Sequence, residues 1–137
     1  MKKIKELTRA EEQIMHVLWK LHKAFVNDVI EELPVPKPAY NTVSTIIRIL
    51  EKKGFIAHNT YGKSHEYYPL VAKKEYSEHF LQHFTKNYFN NSFPALVSCF
   101  AQDKNVSIHE LDEVKQLIEE LQNKAKQAKE KKTLKQQ

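Results

Sequence analysis

Residues 40–54 read YNTVSTIIRILEKKG, and this stretch decides the fold. At the helical period of about 100° per residue, its apolar side chains gather on one face and its hydrogen-bonding side chains on the opposite one. The apolar face holds Val43, Ile46, Ile47 and Leu50. The pattern predicts a helix from Ala39 to Lys53, and Gly54 ends it because glycine readily takes the left-handed conformation found after helices.

The residues before this helix predict two helices, a brief strand between them and a break. Thr8 and Glu11 have the spacing of a capping box, so a first helix is expected to begin there. Residues 23–26 are apolar enough for a brief strand, and Asn27 is expected to cap a second helix. The prolines of 34–38 end that helix, because each ring removes an N–H donor, and Pro38 suits the opening of the next one.

The residues after residue 54 predict a β-hairpin. Segments 55–60 and 63–68 are rich in aromatic and branched side chains and flank Tyr61-Gly62, where glycine permits a tight turn. Helix, short strand, helix, helix and hairpin follow in the order of a winged helix-turn-helix. We therefore predict a mostly α-helical protein with a small β-hairpin wing, whose DNA-binding domain covers residues 1–70.

The polar face of the third helix predicts contact with double-stranded DNA. Arginine pairs well with guanine and asparagine with adenine in the major groove, and Glu51 is the one carboxylate, at the border of this face. The residues predicted to bind DNA are Asn41, Thr42, Ser44, Thr45, Arg48, Lys52 and, at the tip of the wing, Lys63. Lys37 is a further candidate for a phosphate contact. Either lysine can equally be a solvated turn residue, and small polar residues also occur on plain exposed helices.

Residues 71–122 predict a helical dimerisation domain. Aromatic side chains recur every four residues in its first helix, and a second capping box at Ser107 and Glu110 opens a last helix. The residues predicted to form the dimer interface are Tyr76, Phe80, Phe84, Tyr88, Leu111, Val114, Ile118 and Leu121. So short a segment cannot bury these side chains alone, which favours a homodimer on a palindromic operator with half-sites about 34–36 Å apart. The aromatic stripe as a monomer core is the alternative.

The charge of the chain is concentrated at its C-terminal end. The formal net charge is +5, and residues 123–137 carry six lysines against one glutamate, so the remainder is neutral overall. We expect this Lys-rich tail to be a flexible or frayed helix end.

No stretch approaches the roughly 20 apolar residues that a membrane-spanning helix needs, and the polar start of the chain is unlike a signal peptide. The single cysteine, Cys99, excludes an internal disulfide and agrees with a reducing compartment. We therefore expect a cytoplasmic protein without membrane insertion.

Four motifs together resemble a known family. They are Leu7–Glu11 leading into Val17–Trp19, Tyr40–Thr45, Glu51–Gly54 and Tyr67–Leu70. The chain is similar in these motifs to the penicillinase-repressor (BlaI/MecI/CopY-type) family of antibiotic-resistance regulators, over about Leu7 to Leu121. The resemblance implies a dimeric winged-helix repressor on palindromic operators, released when a membrane-bound sensor metalloprotease triggers cleavage in the dimerisation domain.

Two departures from the family pattern concern the signal that releases the repressor. The cleaved bond, which joins Asn to Phe in the family, aligns here with Cys99-Phe100, so only the Phe matches. Cleavage there is a hypothesis. The copper-responsive branch has a C-terminal cysteine cluster that this tail lacks, so we expect no copper sensing and no cofactor.

Other functional classes find less support in the sequence. His79 and His83 have a spacing that suits a shared metal, but no third ligand has an evident place, so no metal site is predicted. No phosphate loop, nucleophile elbow or clustered acid pair supports an enzyme. One open alternative is a winged helix used for protein–protein assembly. The other is a dimeric regulator with a small-molecule pocket, but the helical part of this chain is too small to enclose such a pocket.

Overall fold

The computed structural model describes residues 4–135. Within that range the chain forms six helices and one two-stranded antiparallel sheet. In chain order these are α1 (Arg9–Leu21), α2 (Val26–Glu32), α3 (Tyr40–Lys52), β1 (Ile56–Tyr61), β2 (Ser64–Pro69), α4 (Lys73–Phe89), α5 (Phe93–Ala101) and α6 (Ile108–Lys135). None of the helices within 4–135 has the length and apolar character needed to span a bilayer.

The start of α1 confirms the predicted capping box. The Thr8 hydroxyl accepts the Glu11 amide at 3.2 Å, and the Glu11 carboxylate accepts the Thr8 amide at 2.8 Å. Ile14 and Leu18, which are four residues apart and so share one face of α1, then lie in the core. The capping pair therefore fixes the residue at which α1 begins.

The predicted strand at 23–26 is reduced to one bridge. Ala24 exchanges both backbone hydrogen bonds with Tyr67, at 2.9 and 2.8 Å. The chain enters α2 directly afterwards, so Phe25 is the N-cap residue and the expected cap at Asn27 is wrong. Asp28 accepts the Phe25 amide instead, at 2.9 Å.

The hairpin confirms the predicted wing with a shift of one residue. The register runs from Ile56 opposite Pro69 to Tyr61 opposite Ser64, which leaves a two-residue turn at Gly62-Lys63. Gly62 has φ +61°, as the first turn residue of a type II′ hairpin requires. The turn therefore puts Lys63 at the tip.

The chain divides into two compact units, the first ending at Phe84 and the second beginning at Thr85. This division falls inside α4, later than the predicted boundary after residue 70. Val71 and Tyr76 explain the difference, because both are buried in the core of the first unit. The Trp19 indole N–H also donates to the Val71 carbonyl at 2.9 Å.

The described residues of the second unit form helices joined by short turns. Ser92 caps α5 by accepting the Ala95 amide at 3.1 Å, and Ser107 caps α6 by accepting the Glu110 amide at 3.1 Å. Leu96 is a buried residue of α5. The tail expected to be frayed or flexible is helical to Lys135, since Lys, Ala, Gln and Glu are strong helix formers. Gln136 and Gln137 lie outside the described residues.

Candidate nucleic-acid interface

The two faces of α3 separate as the periodicity predicted. Val43, Ile47 and Leu50 are almost fully buried in the core of the first unit. The exposed face of α3 carries the following predicted DNA-binding residues: Asn41, Thr42, Thr45, Arg48 and Lys52. The core thus fixes the rotation of α3 and turns hydrogen-bonding groups outward.

Ser44 is a correction to the predicted polar face. It is buried, because it lies at the border of that face where α3 meets the rest of the unit. Its hydroxyl accepts a hydrogen bond from Arg48 Nη2 at 3.3 Å. Ser44 therefore holds the Arg48 side chain rather than projecting outward itself.

An open cleft of about 780 Å³ lies beside the exposed face of α3. The start of α2, the outer side of α3 and the tip of the wing form its walls. Its lining includes Phe25, Asn27, Tyr40, Ser44, Arg48, Tyr61, Lys63, His65 and Tyr67. The cleft thus brings the predicted Arg48 and Lys63 to one surface.

Tyr40 is a residue of this cleft that the sequence reasoning missed. Its side chain is half exposed, and it precedes Ser44 and Arg48 at successive four-residue steps on one side of α3. That spacing is the signal that would have found it.

Behind these residues lies Tyr67, whose pKa is raised by burial and, secondarily, by the negative charge of Glu51.

The carboxylate at the border of α3 is paired with the wing. Glu51 Oε2 lies 2.5 Å from His58 Nδ1, and both side chains are about one third exposed. The His58 and His65 rings lie 4.2 Å apart, centroid to centroid. These contacts join the end of α3 to both strands of the hairpin.

Lys37 does not have the role that the sequence indicated. Its ammonium group donates to the carbonyls of Ile30, Glu31 and Leu33, at 3.0, 2.6 and 2.8 Å. These carbonyls belong to the C-terminal end of α2, where the helix dipole also favours a cation. Lys37 therefore caps α2 and is engaged away from any phosphate.

Lys53 ties the end of α3 to the start of α1. Its Nζ lies 2.7 Å from Glu11 Oε1, with the Glu11 side chain only 5% exposed and that of Lys53 24% exposed. Burial by itself raises the pKa of Glu11, but hydrogen bonds from Lys53 and Thr8 outweigh it, so the pKa lies below its ordinary value. This pair helps to fix α3 against the rest of the unit.

Tyr76, predicted to lie in the dimer interface, belongs instead to the core of the first unit. It is buried against Phe55 and Trp19, with ring centroids 5.8 and 6.0 Å away, and its hydroxyl accepts the Leu7 amide at 3.2 Å. The alternative of a monomer core thus holds for this member of the aromatic stripe. Phe80 is half exposed and Phe84 partly buried.

The remaining predicted dimer residues lie on exposed surfaces of the second unit. Tyr88, near the end of α4, is 75% exposed. On α6 the exposed residues of the predicted apolar face are Leu111, Val114, Ile118 and Leu121. Cys99 and Phe100, the predicted cleavage position, are also exposed and lie near the end of α5.

The two histidines considered for a metal lie next to each other on α4. The rings of His79 and His83 are stacked 6.1 Å apart, and His83 Nε2 lies 3.0 Å from Glu6 Oε1. Among the residues that the structure describes, no group of three His, Cys, Asp or Glu side chains is placed to hold a metal ion.

Comparison with known proteins identifies the family. The model of the penicillinase repressor family matches residues 7–120, which is most of the chain. The chain belongs to the penicillinase repressor family. This family consists of transcriptional repressors and not of enzymes. The winged-helix order of elements and the exposed polar face of α3 agree with that membership.

Two curated relatives from this family match nearly their whole lengths. The penicillinase repressor of Bacillus licheniformis is 30% identical over 128 residues, covering 93% of this chain and all of the relative. The methicillin resistance regulatory protein MecI of Staphylococcus aureus (strain N315) is 29% identical over 114 residues, covering 82% of this chain and 93% of the relative.

Two solved structures of BlaI match somewhat more than half of the chain. The solution structure of the DNA-binding domain of the repressor BlaI is 34% identical, covers 56% of this chain and 94% of that one, and has a TM-score of 0.48. The Bacillus licheniformis BlaI monomer in complex with the blaP half-operator has the same identity and coverage, with a TM-score of 0.46.

Proposed function

We propose that this protein is a sequence-specific, DNA-binding transcriptional repressor that acts in the cytoplasm. The observation that carries the proposal is the exposed face of α3, where Asn41, Thr45, Arg48 and Lys52 project beside an open cleft shared with the wing. These side chains can hydrogen-bond to base edges and phosphates in the major groove. Membership of a repressor family supports the same function.

Within this proposal, α3 reads the bases and the wing contacts the backbone. Arg48 would pair bidentately with guanine in this proposal, and the hydrogen bond from its Nη2 to the Ser44 hydroxyl would limit the orientations of its guanidinium group before DNA binds. Lys63 is exposed at the tip of the hairpin, where a phosphate flanking the groove is within a lysine's reach. Tyr40 and Tyr61 add hydroxyl donors along the same cleft.

We also propose that the repressor is a homodimer on a palindromic operator. One winged helix contacts few base pairs, so two copies related by a two-fold axis are needed for tight binding. The exposed apolar face of α6, formed by Leu111, Val114, Ile118 and Leu121, supports pairing between second units. Tyr88 and Phe80 are further exposed apolar side chains that a partner copy would cover.

Release of the repressor by proteolysis is a separate part of the proposal. The resemblance to the family implies a membrane-bound sensor metalloprotease as the trigger, and Cys99 and Phe100 are exposed on α5. The test is immunoblotting and operator occupancy in cells treated with the inducer. Loss of intact protein, with fragments ending at Cys99, supports cleavage, whereas a chain that stays intact on its operator refutes it.

Gel-shift titration of the purified protein against the DNA upstream of its own gene tests the main proposal. Random DNA of equal length is the control, and two salt concentrations separate phosphate contacts from base contacts. The expected result is salt-sensitive binding with a preference for the upstream DNA, and a footprint with two-fold symmetry. Equal binding to both DNAs would contradict the proposal and favour a protein partner for the α3 surface.

A further inference from the structure

The last part of α6 is a strongly charged surface that lies beyond the match to the family model. Residues 123–135, here called the lysine-rich end of α6, contain six lysines and one glutamate. Their net charge of +5 equals the formal charge of the whole chain, so the rest of the protein is neutral overall. The match to the family model ends at residue 120, before this segment begins.

The helical conformation orders these charges. The helix α6 continues to Lys135, and the described side chains of the lysine-rich end are exposed. Lys124, Lys131 and Lys135 fall within an arc of about 40° at the helical period, and they span about 16 Å of helix at about 1.5 Å per residue. The lysine-rich end is therefore a column of positive charge with further lysines beside it.

A second copy covering the apolar face of α6 would leave most of these lysines free. The apolar positions alternate in steps of three and four along α6: Leu111, Val114, Ile118, Leu121, Ala125 and Ala128. Lys132 and Lys135 occupy the next two positions of this seam, and the other four lysines lie off it. Lys124, Lys126, Lys129 and Lys131 therefore stay in solvent in a dimer that pairs through the seam.

We propose that the lysine-rich end of α6 is a second DNA-binding surface that contacts the phosphate backbone without reading sequence. Its charge is complementary to duplex DNA, which carries one phosphate per about 1.7 Å of helix axis. Since the remaining chain is neutral overall, this segment supplies most of the long-range attraction to DNA. The inference rests on the proposed function, because DNA is taken as the polyanion.

Such a surface would hold the repressor on DNA while α3 searches for the operator. Each phosphate neutralised by a lysine contributes about 0.9 to the slope of the logarithm of the binding constant against the logarithm of salt concentration. Six such contacts per protomer set an upper limit of about 5 on the contribution to that slope. Sequence preference comes from α3 and is independent of this term.

The test replaces all six lysines by glutamine in the full chain: K124Q, K126Q, K129Q, K131Q, K132Q and K135Q. Glutamine has a helix propensity close to that of lysine, so α6 is retained, and circular dichroism at 222 nm checks this. The matched control replaces the same residues by arginine, which keeps the charge. Binding to a random duplex of about 30 base pairs is followed by fluorescence anisotropy at several salt concentrations.

The glutamine variant is expected to bind random DNA at least about tenfold more weakly at 0.1 M salt, with a slope lower by about 2 or more per protomer. The arginine variant should match the wild type. Unchanged affinity and slope in the glutamine variant would overturn the proposal. Loss of binding to vesicles containing anionic lipid, with binding to random DNA unchanged, would overturn it too and identify a membrane surface as the partner.

Operator DNA in the same assay keeps this proposal distinct from the repressor function. The glutamine variant should lose affinity for operator and random DNA by similar factors, so the ratio between them is retained. A wild type without operator preference would refute the repressor function, while the effect of the lysines on random DNA would still test the surface on α6.

Discussion

Replacing Glu11 by glutamine should destabilise the first unit by about 2 kcal/mol at neutral pH. Removing one partner of a buried ion pair costs about 3–5 kcal/mol. The Glu11 side chain is 5% exposed, but Lys53 is 24% exposed and can turn its ammonium group into solvent, which lowers that cost. Glutamine keeps an oxygen that can accept the Thr8 amide, so the N-terminal cap of α1 is largely retained.

The same substitution should alter the pH dependence of stability. The pKa of Glu11 is lowered in the folded protein: burial opposes this shift, and the hydrogen bonds from Lys53 and Thr8 outweigh it. The unfolded chain therefore binds a proton more readily, and the stabilisation is complete above the ordinary glutamate pKa of about 4.3 and is lost as pH falls through the folded value. The Glu11→Gln variant should lack this part of the stability loss at acidic pH.

Urea titrations at fixed protein concentration, at pH 7 and at several values between about 5 and 3, measure both effects. Glu12→Gln is the matched control, since Glu12 is 46% exposed and lies 3.5 Å from His16, and it should cost less than about 0.5 kcal/mol. A double variant with Lys53→Met isolates the coupling between the two charges. A loss below about 0.5 kcal/mol for Glu11→Gln, with an unchanged pH profile, would refute the reasoning.

Three further pairs of substitutions test other parts of the structure. Ser44→Ala should lower the ratio of operator to random DNA affinity about fivefold, because the Ser44 hydroxyl no longer holds the Arg48 guanidinium group. Ser44→Thr should restore this ratio. An unchanged ratio in the alanine variant would show that the contact does not matter. Lys37→Met should lower the free energy of unfolding in urea titration by about 1 kcal/mol without changing the salt slope of operator binding. Lys63→Met should instead lower that slope by about 1. The reverse pattern would contradict both the capping role of Lys37 and the phosphate contact of Lys63. Ile118→Asp should convert the dimer to a monomer, as measured by sedimentation velocity. Leu134→Asp, at an exposed residue of α6 off the apolar seam, should leave the dimer intact. A dimeric Ile118→Asp protein would exclude this face as the interface.

The sequence predicted α3 and the wing well because their signals are local. The periodicity of Val43, Ile47 and Leu50 fixes one buried face whatever the rest of the chain does. Gly54, with φ +87°, ends the helix where only local backbone geometry matters. The turn at Gly62 was found to within one residue for the same reason.

The positions that the sequence assigned differently depend on contacts between distant segments. Lys37 looked like a candidate for phosphate contact, but its ammonium group reaches back to the last carbonyls of α2. Tyr76 belongs to a regular aromatic stripe, yet its hydroxyl pairs with the Leu7 amide, 69 residues earlier. Ser44 lies at the border between the faces of α3, where the helical projection alone does not decide its burial.

A paired titration tests whether Arg48 on α3 reads the operator. Arg48→Ala is measured against operator and random duplexes, with Arg9→Ala, an exposed arginine at the start of α1, as the control. Arg48→Ala is expected to lose about 1–3 kcal/mol of operator binding, roughly 5- to 150-fold, while its random DNA binding changes far less. Arg9→Ala is expected to keep the wild-type preference. Equal losses on both duplexes, or an intact operator preference in Arg48→Ala, would contradict this role of Arg48.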